Sequence, residues 1–229
     1  ATSVGSRFRV TAPDLAGFGH SDRPSVAYDR AFHLDNVDAL VESVAGDLPI
    51  TLVGHSMGSV IAALWAARHP ERIGALALVA APFPAGAPPP HDAAMQARDQ
   101  RPLRQRLYRA VQVLWPLVTR PFVSRTFPRA VIDDYMRHSL PGYWGTAQAF
   151  LWDSRAGEEL ASLRKLTAPP ALLLTASDDK RVPRIDGERW TELLPQAERQ
   201  VTSGGHQLLL RSHFAPLALW LMRLPASST

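Results

Sequence analysis

One serine in this sequence stands in a setting built for nucleophilic chemistry. Gly54-His55-Ser56-Met57-Gly58 follows a short apolar run, Ile50-Thr51-Leu52-Val53, and precedes a small-residue helical run over residues 60–67. Strand, tight turn and helix, with a serine at the apex, make up the G-x-S-x-G nucleophile elbow. The flanking glycines are expected to let the strand and the following helix approach closely. The hydroxyl is then exposed, and the Met57 N–H, at the start of a helix, faces the place where an oxyanion would develop. A glycine-rich turn without chemistry is the alternative reading of the same five residues.

A serine hydroxyl becomes a nucleophile only when a base takes its proton, and the base needs a group to orient it. Two late segments offer these parts. Ala176-Ser177-Asp178-Asp179 follows an apolar strand, and Gly204-Gly205-His206 follows the last strand expected from the pattern. Either aspartate would serve the histidine, and a turn-borne Asp can equally bond its own backbone. His213, seven residues after His206, falls in an expected helix and reads as surface or packing. No His, Asp or Glu spacing suggests a metal site.

The elements that must position these residues are legible as alternating runs. Residues 7–12, 50–53, 75–80, 171–175 and 198–202 read as strands. Residues 33–46, 58–69, 187–194 and 207–223 read as helices, the first with Leu34, Val37, Leu40, Val41 and Val44 on one face. Such alternation predicts a mostly parallel sheet flanked by helices, with functional groups at the carboxyl ends of its strands. The rhythm breaks after Pro82-Phe83-Pro84 and Pro88-Pro89-Pro90. From about residue 91 to 150 the pattern is helical, punctuated by Pro116, Pro121, Pro128 and Pro141. The expected organisation is a first core part (1–83), an inserted helical lid (84–150) and a second core part (151–229). In the lid, Trp115, Phe122, Phe127, Tyr135, Tyr143 and Trp144, with Trp152 just beyond it, would either line an apolar acyl pocket or hold the lid together. Trp115, Tyr143 and Trp144, with His55 beside the nucleophile, are the candidate pocket residues.

Composition narrows the partners. The 229 residues suffice for one sizeable domain with a substantial core, and the absence of cysteine excludes disulfides and thiolate metal sites. No run reaches membrane-spanning length, and the first residues carry no apolar signal-type stretch, so a cytoplasmic protein with no membrane partner is expected. The net charge is +4, carried almost wholly by arginine. The densest cluster, Arg98, Arg101, Arg104, Arg106 and Arg109, is spaced like one solvated helix face, so no nucleic-acid partner is expected.

Taken together these motifs resemble the α/β-hydrolase superfamily, its serine-nucleophile esterase and haloperoxidase-like branch, over nearly the whole chain. Residues 8–24 resemble the family's fourth strand and following loop. Residues 54–58 match its elbow, residues 176–183 are similar to its acid turn (G-x-x-D-x-x-V-P, here opening on Ala176), and Gly204-Gly205-His206 is similar to its histidine loop. The resemblance implies Ser56 as nucleophile, His206 as base, Asp179 as the acid because it holds the fourth place of its turn, and Met57 as an oxyanion donor. His20, His33, His69, His91 and His138 lie upstream of the acid turn, outside the family's order for the base. Asp14 and Asp22 read as turn or ion-pair residues. The implied activity is cofactor-free hydrolysis of a small hydrophobic ester-like substrate through an acyl-enzyme. Carbon–carbon bond hydrolysis, lactone hydrolysis and perhydrolysis use the same three residues, and a non-catalytic binding protein would keep the same fold. Family members with an aspartate at the elbow act as dehalogenases or epoxide hydrolases, and Ser56 argues against both.

The resemblance also implies what is missing: an N-terminally shortened fold. Three upstream strands and a His-Gly loop that supplies a second oxyanion N–H have no counterpart here. The expectation is a fragment or truncated form of a longer hydrolase, with a rebuilt oxyanion hole as the alternative. Without the family's third strand, the 7–12 strand would pair directly with 50–53, or more chain would fill a gap of about 5 Å per missing ladder spacing.

Overall fold

Four apolar runs assemble into one parallel sheet, β1 (Ile50–His55), β2 (Ile73–Val79), β3 (Ala171–Ala176) and β4 (Glu198–Thr202), paired in that order. The computed structural model describes residues 4–118, 136–207 and 214–225, apart from the side chains of 115–118. The β2 run Ile-Gly-Ala-Leu-Ala-Leu-Val carries no polar side chain because both of its faces are covered. Leu76 and Leu78 face one hydrophobic cluster, and Ala75, Ala77 and Val79 face another. This period of two divides the core.

On the first face lie α1 (Arg30–Ala45), α2 (Met57–Arg68), α6 (Ser154–Leu160) and α7 (Arg184–Leu193). Helix α2 is buried continuously from Ser59 to Ala66, which explains why its sequence lacks a polar stripe. On the second face α8 (Ala215–Arg223) presents Leu217, Trp220 and Leu221, joined by Val4 and Phe8. Each fully buried leucine in these layers contributes roughly 1.5–3 kcal/mol. Helices α3 (Pro90–Asp99), α4 (Pro102–Val118) and α5 (Leu140–Leu151) stand between β2 and α6. They pack a cluster of their own, Leu140, Trp144, Ala147 and Trp152, against Met57.

Short-range contacts seat α5 on the core. Gly17 lies so close to Gly142 that a Cβ on Gly17 would meet the Gly142 Cα at 3.1 Å, and Ser139 N–H donates to the Gly17 carbonyl at 2.7 Å. Below this contact, buried His33 donates from Nε2 to Thr146 Oγ1 (2.7 Å), whose hydroxyl donates to the Gly142 carbonyl (2.7 Å). Burial lowers the His33 imidazole to about 4, against the opposing pull of Asp29. Its Nδ1 is buried without a partner among the described residues.

Two expectations are corrected by the structure. Residues 7–12 form no strand: they run outside the sheet, with Val10 exposed, and do not move over onto β1. Among the described residues no strand pairs with the outer edge of β1, where Val53 is partly exposed. Without a partner ladder, apolar alternation in 7–12 has nothing to pair with. The arginine cluster is not one helix face either. The chain breaks between α3 and α4, and Arg98 and Arg104 both turn to the buried Asp99 carboxylate. The exposed surface of α4 carries Leu103, Leu107, Val111 and Leu114 beside Arg106 and Arg109. Other boundaries shift by a few residues. Helix α1 starts at Arg30 because the Asp29 side chain caps it by accepting from Phe32 N–H. Helix α8 begins at Ala215; residues 208–213, including His213, lie outside the described residues.

The buried His33 sets a pH dependence. Its folded-state value lies below the ordinary 6.5, so the unfolded chain binds the proton more tightly. Stability is therefore complete above about pH 6.5 and lost as pH falls toward 4, by up to roughly 3 kcal/mol. Urea unfolding of wild type and His33→Gln across this window checks it. The variant, which keeps a donor for Thr146, is expected to flatten the decline, and an unchanged slope would refute the assignment.

Candidate active site

Ser56 sits at the carboxyl end of β1, between strand and α2, with φ +54° and ψ −127°. This is a backbone conformation that a residue with a Cβ adopts only when its surroundings impose it. Three contacts impose it here. Ser56 N–H donates to the Val79 carbonyl (2.9 Å), and Ser59 Oγ both donates to that carbonyl (3.1 Å) and accepts from Val79 N–H (3.2 Å). The elbow is thus stitched to the end of β2. Gly54 permits the close approach, since a Cβ there would meet the Gly58 carbonyl oxygen at 2.4 Å and Ser59 N at 2.6 Å. Gly58 differs from expectation: a Cβ there meets nothing within 4 Å.

The other two residues arrive at the same end of the sheet. Asp179 lies in the turn after β3, and His206 in the loop after β4. His206 Nε2 is 2.8 Å from Ser56 Oγ, and its Nδ1 is 2.9 Å from Asp179 Oδ2. The other carboxylate oxygen of Asp179 accepts from the N–H groups of Arg181 (2.8 Å) and Val182 (3.1 Å). Burial pushes the Asp179 carboxyl up, but the hydrogen bonds from His206, Arg181 and Val182 outweigh it and hold the group below its ordinary value. An ionised Asp179 accepts from Nδ1–H, which leaves Nε2 as the bare nitrogen facing Ser56. Asp178 does not reach His206. Its carboxylate takes Ser177 Oγ (3.0 Å) and Gly204 N–H (3.4 Å), bonding the two loops to each other.

Met57 is the first residue of α2, so its N–H is one of the unpaired donors at a helix start. Met57 is partly buried against the cluster of Leu140, Trp144, Ala147 and Trp152. Tyr143 and Trp144 stand edge to face at 4.9 Å, and Trp144 Nε1 donates to the buried Asp99 (3.3 Å). Trp144 belongs to the buried cluster of the α3–α5 helices, and Tyr143 and Met57 pack against that cluster. Trp115 lies on α4, but its side chain, like Phe122, Phe127 and Tyr135, is outside the described residues. His55 is half-buried, and its Nε2 is 2.8 Å from the His206 carbonyl oxygen. Asp14 serves a turn, accepting from His20 N–H (2.9 Å), and the Asp22 carbonyl accepts from Gly17 N–H (2.8 Å).

A cavity of about 840 Å³ lies between the start of α1 and the α3–α5 helices, lined by Tyr28, Gln96, Asp99, Trp144 and Trp152 among others. It touches none of Ser56, Asp179 and His206. Among the described residues no three His, Cys, Asp or Glu side chains converge as metal ligands. Several structural residues gave no sequence signal. Asp186, buried in α7, accepts from Phe83 N–H (3.0 Å), and Trp190 Nε1 donates to the Ala81 carbonyl (3.1 Å). Both fix the chain leaving β2, and neither partner is near in sequence.

A parallel sheet between helices, with a serine elbow, an aspartate turn and a histidine loop at its carboxyl end, defines a class of fold. The chain belongs to the alpha/beta hydrolase fold family, which matches residues 2–211. It is 42% identical to the 2-hydroxymuconate semialdehyde hydrolase of Pseudomonas sp. (strain CF600) over 72 residues, 31% of this chain and 25% of that protein. It is 39% identical to the pimeloyl-[acyl-carrier protein] methyl ester esterase of Chromobacterium violaceum over 82 residues, 35% of this chain and 29% of that one. The chain thus spans about a quarter of the length of these relatives. A haloalkane dehalogenase from Bradyrhizobium elkani USDA94 shares the fold, with a TM-score of 0.68 and 20% identity over 94% of this chain and 81% of that one. Among the described residues no helix is long and apolar enough to cross a membrane.

The two elbow glycines are expected to respond oppositely to a methyl group. Gly54→Ala forces backbone against backbone and is expected to cost more than about 2 kcal/mol. Gly58→Ala, in a helical turn with open space, is expected to leave the melting temperature unchanged or raise it, by about 0.5–1 kcal/mol in stability. Calorimetry of the two variants checks this, and equal losses would contradict the packing described.

Proposed function

We propose that the chain is a serine hydrolase of carboxylic esters working through an acyl-enzyme. The observation that carries this reading is the unbroken line Ser56 Oγ, His206 Nε2, His206 Nδ1, Asp179 Oδ2, with links of 2.8 and 2.9 Å. His206 takes the Ser56 proton as Oγ attacks the ester carbonyl, and Asp179 stabilises the imidazolium that forms. The Met57 N–H donates to the oxyanion. His206 then gives the proton to the departing alcohol, and the acyl group remains on Ser56. Water, deprotonated by His206, attacks that acyl group, and the acid leaves. The cycle consumes one water and needs no cofactor.

Similarity to a methyl ester esterase supports an ester substrate. The apolar cluster that Met57 touches supports a small hydrophobic acyl or alcohol group, with residues 84–150 acting as a lid. A carbon–carbon bond hydrolase using the same residues is the second reading, favoured by the likeness to a 2-hydroxymuconate semialdehyde hydrolase. A non-catalytic binder with the same fold would require none of the hydrogen-bonded line.

A fluorophosphonate probe, with Ser56→Ala as control, tests the mechanism. Labelling is expected on Ser56 and absent in the control; labelling elsewhere, or none in wild type, would favour the binder. A panel of p-nitrophenyl esters of varied chain length then reads the substrate. On the best ester, Asp179→Asn is expected to lower kcat by about 10³–10⁴, and Asp178→Asn by less than about threefold. Equal effects of the two would overturn the role given to Asp179.

A further inference from the structure

No step of the proposed mechanism uses His55, yet this imidazole contacts the loop that carries the base. His55 is the last residue of β1 and Ser56 follows it directly. Its Nε2 lies 2.8 Å from the backbone carbonyl oxygen of His206, and the two rings are 5.3 Å apart between centroids. A carbonyl only accepts, so His55 holds its proton on Nε2 and donates it.

The histidine loop needs such an anchor. Gly204 and Gly205 precede His206, and Gly204 adopts φ +110°, so the backbone there resists displacement weakly. On the acid-turn side the loop is held by Asp178 N–H to the Gly204 carbonyl (3.0 Å) and by the Asp178 carboxylate. Both contacts fall two residues before the base. At residue 206 itself the described hydrogen bonds are the two on the ring and the one from His55 to the backbone.

We infer that His55 is a positioning residue: by donating Nε2–H to the His206 carbonyl it fixes the backbone of the base, so that His206 Nε2 stays in line with Ser56 Oγ. This rests on the hydrolase reading of the same site. His55 ends β1 and Ser56 follows it in the elbow, so the distance from hydroxyl to base is set from both ends by the carboxyl end of β1. The chemistry of the brace matters as well. Burial keeps the His55 imidazole below its ordinary value, and the neighbouring His206 ring opposes a second positive charge. A neutral N–H donor thus anchors the loop without competing with the imidazolium that forms on His206, which a lysine or arginine at 55 would do.

The test compares wild type, His55→Phe and His55→Gln in the full chain. Phenylalanine keeps the ring and loses the donor, whereas glutamine can offer an amide N–H to the same carbonyl. His55→Phe is expected to slow fluorophosphonate labelling of Ser56 about tenfold or more, and to lower ester kcat with KM nearly unchanged. His55→Gln is expected to recover most of both rates. A change confined to KM, or equal rates in all three proteins, overturns the brace. If wild type is not labelled at all, the hydrolase reading fails instead, and imidazole ¹⁵N NMR still decides the brace. His55 is expected as the Nε2–H tautomer, with the His206 ring signals shifted in His55→Phe and restored in His55→Gln. A Nδ1–H tautomer at His55, or His206 signals indifferent to both substitutions, refutes it.

Discussion

The hydrogen bond between Ser56 Oγ and His206 Nε2 joins residues 150 positions apart, and the rest of the structure is organised around making it possible. A bond worth about 1 kcal/mol in water cannot hold two such distant segments together by itself. The sheet does so first. Its strands run parallel in sequence order, so the chain returns to the same edge after β1, β3 and β4. The strained Ser56 backbone then survives because Val79, at the end of β2, bonds both Ser56 N–H and the Ser59 hydroxyl.

The helices between β2 and β3 depend on the same frame through different contacts. Asp186 and Trp190 of α7 hold the chain as it leaves β2, and the Gly17 to Gly142 contact seats α5. Between these anchors the cluster of Leu140, Trp144, Ala147 and Trp152 is carried against Met57, the residue after Ser56. The apolar neighbourhood of the elbow is therefore supplied by α5 and the residues after it, while Ser56, Asp179 and His206 come from turns at strand ends. Asp179 stays ionised despite burial because three N–H donors converge on it, one from His206 and two from its own turn.

Local patterns were legible where local physics decides the structure. The strands beginning at Ile50, Ala171 and Glu198 and the buried helix α2 follow from apolar runs and their stops. The elbow and the two loops followed from residue types at strand ends. What could not be read depended on partners distant in sequence. The run at 7–12 alternates like a strand but has no neighbour to pair with. The arginines near Arg98 have helical spacing, but the break after α3 and the buried Asp99 redirect two of them. Nothing in the sequence around His55 announces the carbonyl, 151 residues away, that the fold brings to it. His33 and Thr146 likewise form a buried pair across 113 residues, which no spacing announces.

If this line of three side chains turns the Ser56 hydroxyl into an acyl acceptor, the acyl group passes through Ser56 in every turnover. Rapid-quench mass spectrometry during turnover of an activated ester tests it most directly. An acyl group is expected to accumulate on the peptide containing Ser56 and to decay at the steady-state rate. Ester turnover with no acyl group on Ser56, or with the acyl group on another residue, would contradict it.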